Sequence, residues 1–460
     1  MKKQALLALM LALALILSGC TLIQKDPKVD AATEIVRLGD EVVTKGEIQE
    51  QVNSQLQYMA YVYSMYGYSY DATSAENIAS AQDSVLETVK EDLVSKAKIR
   101  ELGLDQLTEE EEAKVQSDAE STYQSNLDYV IDGEEDYADL SDEEKTEKAT
   151  AKLEETGYTM ETALKNARES LLEDKLRQEI IKDVAVTEEE IQAEFDSKVE
   201  TAKGNYENDA ASWTTAANNG TKLYYTPAGV RFVKQILVKF TDEDQALIDA
   251  ANEKVTDAKA KVTEAESKVS DAQAIIDDEN ATEEDKTAAQ TSLEAAQADL
   301  TAAQAEVEAA NAEVASVTET AFGNIDEAAD GILQELEQGA DWDTLMAERT
   351  QDPGMQSGVT AERGYAVTST MTSFDSAFVE AAMALEKIGD VSGKVKGTTY
   401  GYYIIRYVGD AVEGPIALEE VKDEIESSLL SSKQDSTYED TIHGWVDAAD
   451  FKVDRNALNN

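Results

Sequence analysis

The sequence predicts an α+β protein in two parts: a mainly helical domain, and a small α+β domain carrying an inserted antiparallel coiled-coil hairpin. Three observations predict it. Capped, helix-favouring segments fill most of the chain before residue 204. Two β-branched and aromatic runs, Val230 to Val238 and Gly401 to Tyr407, enclose a helical pattern. Between those runs, residues 244–317 hold neither glycine nor proline and repeat their apolar residues every seven positions.

At 460 residues the chain has room for two or three domains. Its net charge of −55 opposes binding to nucleic acid or to an anionic membrane surface. The N-terminus carries Lys2 and Lys3, an apolar run from Ala5 to Leu17, then Leu17-Ser-Gly-Cys20. A basic start, a short apolar stretch and small residues predict a secretory signal over 1–19, too short for a membrane span. Leu-Ser-Gly-Cys resembles a bacterial lipobox, which implies a lipidated Cys20 and an extracytoplasmic protein held to the cell membrane through that lipid alone. As Cys20 is the only cysteine, an intramolecular disulfide is excluded. Residues 20–33, polar and containing Pro27, read as a flexible tether.

A hairpin turning at Gly39-Asp40 follows, and Thr44 with Glu47 makes a capping box that opens a long helix. Helices are expected at about 45–66, 75–101, 108–130, 141–155, 159–182 and 187–203, the last opened by Thr187 and Glu190. Asp132 to Glu144 is intensely acidic but lacks the spacing of a calcium loop, and no metal or cofactor is expected. Tyr58, Tyr61, Tyr63, Tyr66, Tyr68 and Tyr70 crowd a short window with Met59 and Met65. They read either as an adaptable surface for unfolded segments or as residues of which half face the domain core. The second reading is the one expected here.

The insertion has Val255, Val262, Val269 and Ile276 seven apart, with Ala258, Ala265 and Ala272 between them. After a turn, Thr282 caps a second helix with Leu293, Leu300, Val307 and Val314, and Ala296, Ala303 and Ala310 between. Each arm spans about 30 residues, or about 45 Å at 1.5 Å per residue. A client clamp, a spacer and a partner surface are the roles this hairpin (244–318) leaves open.

The region flanking the insertion contains Trp342-Asp-Thr-Leu-Met346, Thr350-Gln-Asp-Pro-Gly354, Phe374-Asp-Ser-Ala-Phe378, Glu380-Ala-Ala-Met-Ala-Leu385 and Gly401-Tyr-Tyr-Ile-Ile-Arg406. It reads as helix, loop, helix and closing strand. Pro227 and Pro415 bracket it. With its opening strand, D-P-G loop, F-x-E-A helix and G-Y-x-I-I strand, the segment 227–414 resembles a parvulin-type (rotamase) peptidyl-prolyl isomerase domain. The hairpin and helix at 35–66 resemble the start of the chaperone domain in PrsA-like and SurA-like foldases. That resemblance implies a helical chaperone domain over 34–226, completed by the returning chain 416–460. There Ile416, Val421, Ile425, Leu429 and Leu430 predict an amphipathic helix, and Phe451-Lys-Val453 a terminal strand.

The resemblance also implies a chemistry. Rotation about an X-Pro bond faces a barrier of about 18–20 kcal/mol and breaks no bond, so no nucleophile or metal is needed. A catalyst holds the proline ring in an apolar pocket and stabilises the twisted amide. By resemblance Phe374 and Phe378 line that pocket, with ordinary core packing as the other reading of both. Asp352 matches the acidic position of the catalytic loop and Thr398 the threonine before the closing strand. Where the family carries two histidines this chain has Gln235 and Tyr403, and its only histidine, His443, lies far downstream as a structural residue. The family's Gly-rich segment is reduced to Ala361-Glu-Arg-Gly364. A glutamine amide and a tyrosine hydroxyl can hydrogen-bond across the same gap, and neither titrates between pH 5 and 8. The expected partners are unfolded or proline-containing secreted polypeptides, with a further partner on the hairpin left open. Whether the domain catalyses rotation or only binds peptides is open at this point.

Overall fold

The structure, a computed structural model, describes residues 26–137 and 140–459. It is about 68% helical with small antiparallel sheets, the mainly helical α+β class the sequence predicts. The chain divides into two compact units: one formed by the chain up to Thr187 together with Glu426–Asn460, the other by Glu188–Ile425. The signal stretch and Cys20 lie outside the described residues.

The first unit begins with a short helix, α1 (Pro27–Ala31), where the sequence led us to expect a flexible tether. Asp26 caps it, and Asp30 pairs with the buried Lys45 ammonium at 2.9 Å, so an ion pair fixes the segment. Strands β1 (Glu34–Leu38) and β2 (Glu41–Thr44) form the expected hairpin, turning through Gly39 at φ 60°. Thr44 and Glu47 close a capping box on α2 (Lys45–Met65), and α3 (Ala75–Glu101) packs beside it. Ile48, Val52 and Leu56 of α2 meet Val85, Leu86 and Val89 of α3 over Ile35 and Val36.

Helices α4 (Glu109–Gly133), α5 (Asp142–Glu155) and α6 (Met160–Ile181) complete the sequential part of this unit. Capping boxes open α4 (Thr108 and Glu111) and α5 (Ser141 and Glu144). The returning chain supplies much of α14 (Lys422–Ala448), then β9 (Lys452–Val453) and α15 (Arg455–Asn459). Ile442 joins Ile99 and Leu176 in one core, and Val453 pairs with Val36 on the open edge of β1. His443 is exposed on this helix, 3.2 Å from Glu91.

The second unit opens with α7 (Glu188–Tyr206) and α8 (Ala210–Asn218), so these helices group with the sheet-bearing unit and not with the 34–187 helices. Trp213 and Ala217 pack on Val230 and Ala366, and the Trp213 indole donates to the Tyr225 carbonyl at 2.7 Å. A small ladder, β3 (Tyr225–Thr226) with β8 (Gly414–Pro415), closes the neck of the domain beside Pro227 and Pro415.

Strand β4 (Arg231–Lys239) is central in a four-stranded antiparallel sheet of order β5-β4-β7-β6. β5 (Tyr365–Val367) and β6 (Val395–Lys396) are too short to show a period in sequence; β7 (Gly401–Asp410) is the expected closing strand. Both faces of the sheet are covered, which explains why Ile236, Leu237 and Val238 follow one another in β4 and are all buried. Ile236, Val238, Tyr402 and Ile404 face α10 (Glu283–Glu337) and α11 (Trp342–Arg349). Val233, Leu237, Tyr403, Ile405 and Tyr407 face α13 (Ser376–Ala384). A single-turn helix, α12 (Val359–Arg363), leads into β5.

The insertion is a pair of antiparallel helices, α9 (Asp242–Asp277) and α10. Lys254 pairs with Glu313 and Lys261 with Glu306, so one arm ascends as the other descends. The alanines predicted as inner positions (Ala258, Ala265, Ala272, Ala296, Ala303, Ala310) are buried, while Val262, Val269, Leu300 and Val307 lie half-buried beside them. One boundary differs from expectation. The second arm does not end near 318; α10 continues unbroken to Glu337, where Ala321, Phe322, Ile325, Ala329 and Ile332 form one wall of the sheet core. Nothing between Val314 and Phe322 breaks the helical phase, and the apolar stripe simply changes partner from α9 to the sheet.

The tyrosine window also departs from expectation. Tyr58, Tyr61, Tyr63, Tyr66 and Tyr68 are exposed, and Tyr70 alone of the six is half-buried. The buried stripe of α2 is Ile48, Val52 and Leu56, and Tyr58 and Tyr61 fall on the opposite side.

Candidate proline-binding site

The site grows from the alternation of β4 and β7. Gln235 and Leu237 project from the α13 side of the sheet, and Tyr403 pairs with Leu237 on the neighbouring strand. Beyond the end of β5 the edge of β4 is covered by the loop 350–352. The Gln351 amide donates to the Leu237 carbonyl at 3.0 Å, the Lys239 amide to Gln351 Oε1 at 2.8 Å, and the Leu237 amide to Thr350 Oγ1 at 3.2 Å. This edge pairing carries Asp352 under Gln235.

Asp352 is buried, and its carboxylate is hydrogen-bonded on every side. Gln235 Nε2 donates to Oδ2 at 2.6 Å, and the Gly354 amide donates to Oδ1 at 3.0 Å as the cap of a 3₁₀ turn. The Tyr365 hydroxyl lies 3.2 and 3.0 Å from the two oxygens. The carboxylate orients the Gln235 amide, which turns the buried Oε1 the other way, where it has no hydrogen-bond partner among the described residues. A buried, unpaired acceptor is unfavourable by about 1–3 kcal/mol.

A second carboxylate, Asp375, caps α13 through the Ala377 amide at 2.9 Å. Its Oδ2 accepts from the Thr398 amide and hydroxyl, at 2.5 and 2.8 Å, and from the Tyr403 hydroxyl at 3.4 Å. Gln235 and Tyr403 therefore do not bridge a common gap, as the sequence suggested. Each serves its own carboxylate, Asp352 or Asp375, because the carboxylates flank the pocket from two different loops. Burial, then the neighbouring carboxylate charge, raises the pKa of both Tyr365 and Tyr403, so both hydroxyls keep their protons at neutral pH.

Between these networks runs a chain of rings. Tyr365 meets Phe374 edge-on at 5.0 Å, Phe374 meets Phe378 at 5.7 Å, and Phe378 meets Tyr403 edge-on at 5.4 Å. They enclose a cavity of about 460 Å³ that Gln235, Leu237, Asp352 and Asp375 also line, with Lys239 and Tyr400 among its walls. Phe378 is almost wholly buried, whereas Phe374 is only partly so.

Of the residues named from sequence, Gln235, Asp352, Tyr403, Phe374 and Phe378 share this cavity. Thr398 is not in its lining and instead holds Asp375 in place. Sequence reasoning missed Tyr365 and Asp375. Asp375 had a signal, an aspartate directly before an apolar helical run, as helix caps often are. Tyr365 had only its place after Gly364 at the start of a strand.

Chemically, the cavity offers an apolar box walled by aromatic rings, with two protonated phenols held by carboxylates at its edges. Among the described residues no group of His, Cys, Asp and Glu is placed to hold a metal ion.

No protein-family profile matches the chain. It is 29% identical over 131 residues to the foldase protein PrsA of two Clostridium botulinum strains, a match covering 28% of this chain. The chain spans 37% of the length of those relatives. Among solved structures, the foldase protein PrsA of Streptococcus pneumoniae is 15% identical, with 93% of this chain and 98% of that one covered, at a TM-score of 0.24. A SurA-like chaperone of Campylobacter jejuni is 13% identical, with 92% and 100% covered, at a TM-score of 0.25. Over that stretch of 131 residues the chain is similar to PrsA foldases.

Proposed function

We propose that this protein is an extracytoplasmic folding factor whose second unit binds proline-containing segments and accelerates cis-trans rotation of the X-Pro bond without histidine. The observation that carries the reading is the aromatic cavity built against the Gln235–Asp352–Tyr365 network. Rings on Phe374, Phe378 and Tyr403 suit a pyrrolidine ring. The reaction needs only that the twisted amide be held more tightly than the planar one. The aromatic walls, with the Tyr365 and Tyr403 hydroxyls held by Asp352 and Asp375, fix the proline ring while the rest of the peptide turns.

Unfolded secreted polypeptides are the substrates this reading assigns. On this reading a signal over 1–19 and a lipid on Cys20 hold the protein at the outer face of the cell membrane; among the described residues no helix is long and apolar enough to cross a bilayer. Replacing Cys20 by alanine then releases the protein from the membrane fraction.

The test is prolyl isomerisation of a proline tetrapeptide by the chain from Thr21 onward, beside its Phe374→Ala variant. Acceleration above the uncatalysed rate that falls in the variant supports the reading. No acceleration in either leaves the unit as a peptide-binding module.

A further inference from the structure

The six tyrosines between 58 and 70 are nearly a third of the 19 in the chain, and all but Tyr70 stand outside the core. Tyr58 is 65% exposed, Tyr61 62%, Met65 67%, Tyr66 75% and Tyr68 70%. Tyr58, Tyr61 and Met65 stand at i, i+3 and i+7, one stripe of α2 on the side away from Ile48, Val52 and Leu56. Contiguous exposed aromatic surface of this kind marks an interaction site in a folded protein.

The rings are presented on a fixed backbone. Gly67, at φ 78°, turns the chain out of the helix, and the Tyr68 amide returns to the Tyr63 carbonyl at 2.9 Å and the Gly67 amide to that of Ser64 at 3.1 Å. Tyr70 packs on Tyr63 with centroids 5.2 Å apart, and Asp71 holds the next turn through the Thr73 amide at 2.9 Å. Exposure here is built in, and a rigid tyrosine loses little entropy when it is covered.

Charge selects the occupant. From residue 46 to residue 89 the chain has no lysine or arginine, while Glu50, Asp71 and Glu76 flank the aromatic stripe. The hydrogen bonds of Thr73 keep Asp71 ionised by lowering its pKa. With −55 charges on each chain, a second copy is repelled, and so is an anionic bilayer. A polypeptide that offers apolar side chains and carries lysine or arginine gains on both counts.

We propose that the end of α2 and the loop to Tyr70 dock extended, unfolded polypeptide segments that combine apolar and cationic side chains. This rests on the folding-factor reading above and adds a surface separate from the proline cavity. The test uses the chain from Thr21 onward and a variant with Tyr58, Tyr61, Tyr66 and Tyr68 all changed to serine. All four side chains are exposed, so circular dichroism should be unchanged. The probe is a fluorescent peptide alternating lysine with leucine and phenylalanine, and a control peptide has glutamate in place of lysine.

The wild-type chain should bind the lysine peptide, and added salt or the glutamate substitution should weaken binding. The variant should bind roughly ten-fold more weakly, while its isomerisation of a proline tetrapeptide stays at the wild-type rate. Equal binding by variant and wild type overturns the proposal, as does a wild-type dimer in sedimentation that the variant dissociates. Binding to phosphatidylglycerol vesicles that the serines abolish overturns it too. A wild-type chain that neither binds the peptide nor accelerates isomerisation defeats the folding-factor reading itself, whereas one that accelerates isomerisation but binds no peptide defeats only this surface.

Discussion

Gln235 and Asp352 share a 2.6 Å hydrogen bond across 117 positions of sequence, amide to carboxylate, with both side chains buried. Such a pair needs no titrating proton near neutrality. Isomerase activity, followed as kcat/KM, should therefore be flat between pH 5 and 8. Gln235→His should introduce an inflection above the ordinary value of about 6.5, because the Asp352 carboxylate favours the imidazolium. An inflection near 6.5 in the wild type contradicts these pairings.

Alkaline pH should act on stability instead. In the folded protein the pKa values of Tyr365 and Tyr403 lie above the unfolded value of about 10. Above that pH the unfolded chain releases protons that the folded chain retains, so stability is full below about pH 10 and falls as pH rises past it. Denaturant midpoints measured from pH 8 to 11 should show the fall, and Tyr365→Phe together with Tyr403→Phe should flatten it.

The two phenylalanines of the cavity should separate. Phe378 is 2% exposed and anchors α13, so Phe378→Ala should destabilise the second unit by about 3–5 kcal/mol. Phe374 is less buried, and Phe374→Ala should raise KM for a proline peptide with a much smaller change in unfolding midpoint. Calorimetry beside peptide kinetics distinguishes them.

Gly354 is required by Tyr365. A Cβ at Gly354 would lie 1.9 Å from the Tyr365 hydroxyl oxygen, so Gly354→Ala should push that hydroxyl off Asp352. Its activity should match that of Tyr365→Phe, and combining the two changes should cost little more than either alone. Fully additive losses would show that Gly354 acts elsewhere.

In the hairpin, Ala265 is 4% exposed where the helices meet. Ala265→Leu should overpack that contact and cost about 1–3 kcal/mol. Lys261→Ala removes only an exposed pair with Glu306 and should leave the unfolding midpoint nearly unchanged. Urea unfolding followed by helical circular dichroism compares them.

The helices of the first unit were legible because their ends are written locally: Thr44 with Glu47, Thr108 with Glu111 and Ser141 with Glu144 mark the starts, and the apolar period supplies the body. Strands β4 and β7 were legible as runs rich in β-branched and aromatic residues. β5 and β6 were not, because two or three residues contain no period and their pairing is decided across the sheet. The cavity was half legible. Resemblance gave Gln235, Asp352, Tyr403 and the two phenylalanines, but Tyr365 reaches Asp352 only because the loop 350–352 runs along the edge of β4. The tyrosine window was misjudged because aromatic residues in a helix are usually core, and nothing local records that Leu56 is the last buried residue of α2.

The unbroken α10 has a consequence for how the second unit assembles. β4 and β7 are neighbours in the sheet, yet Lys239 and Gly401 are 162 positions apart, a long loop to close. A hairpin whose arms zip together from their turn at Asp278–Thr282 draws the end of β4 towards Ala321 through contacts that are each local to the growing end. Once the arms are paired, the loop still to be closed is little longer than in a chain without the insertion. An insertion of this length thus need not slow the search for the sheet, and the same helix that bounds it arrives already carrying Phe322 and Ile325 for the core.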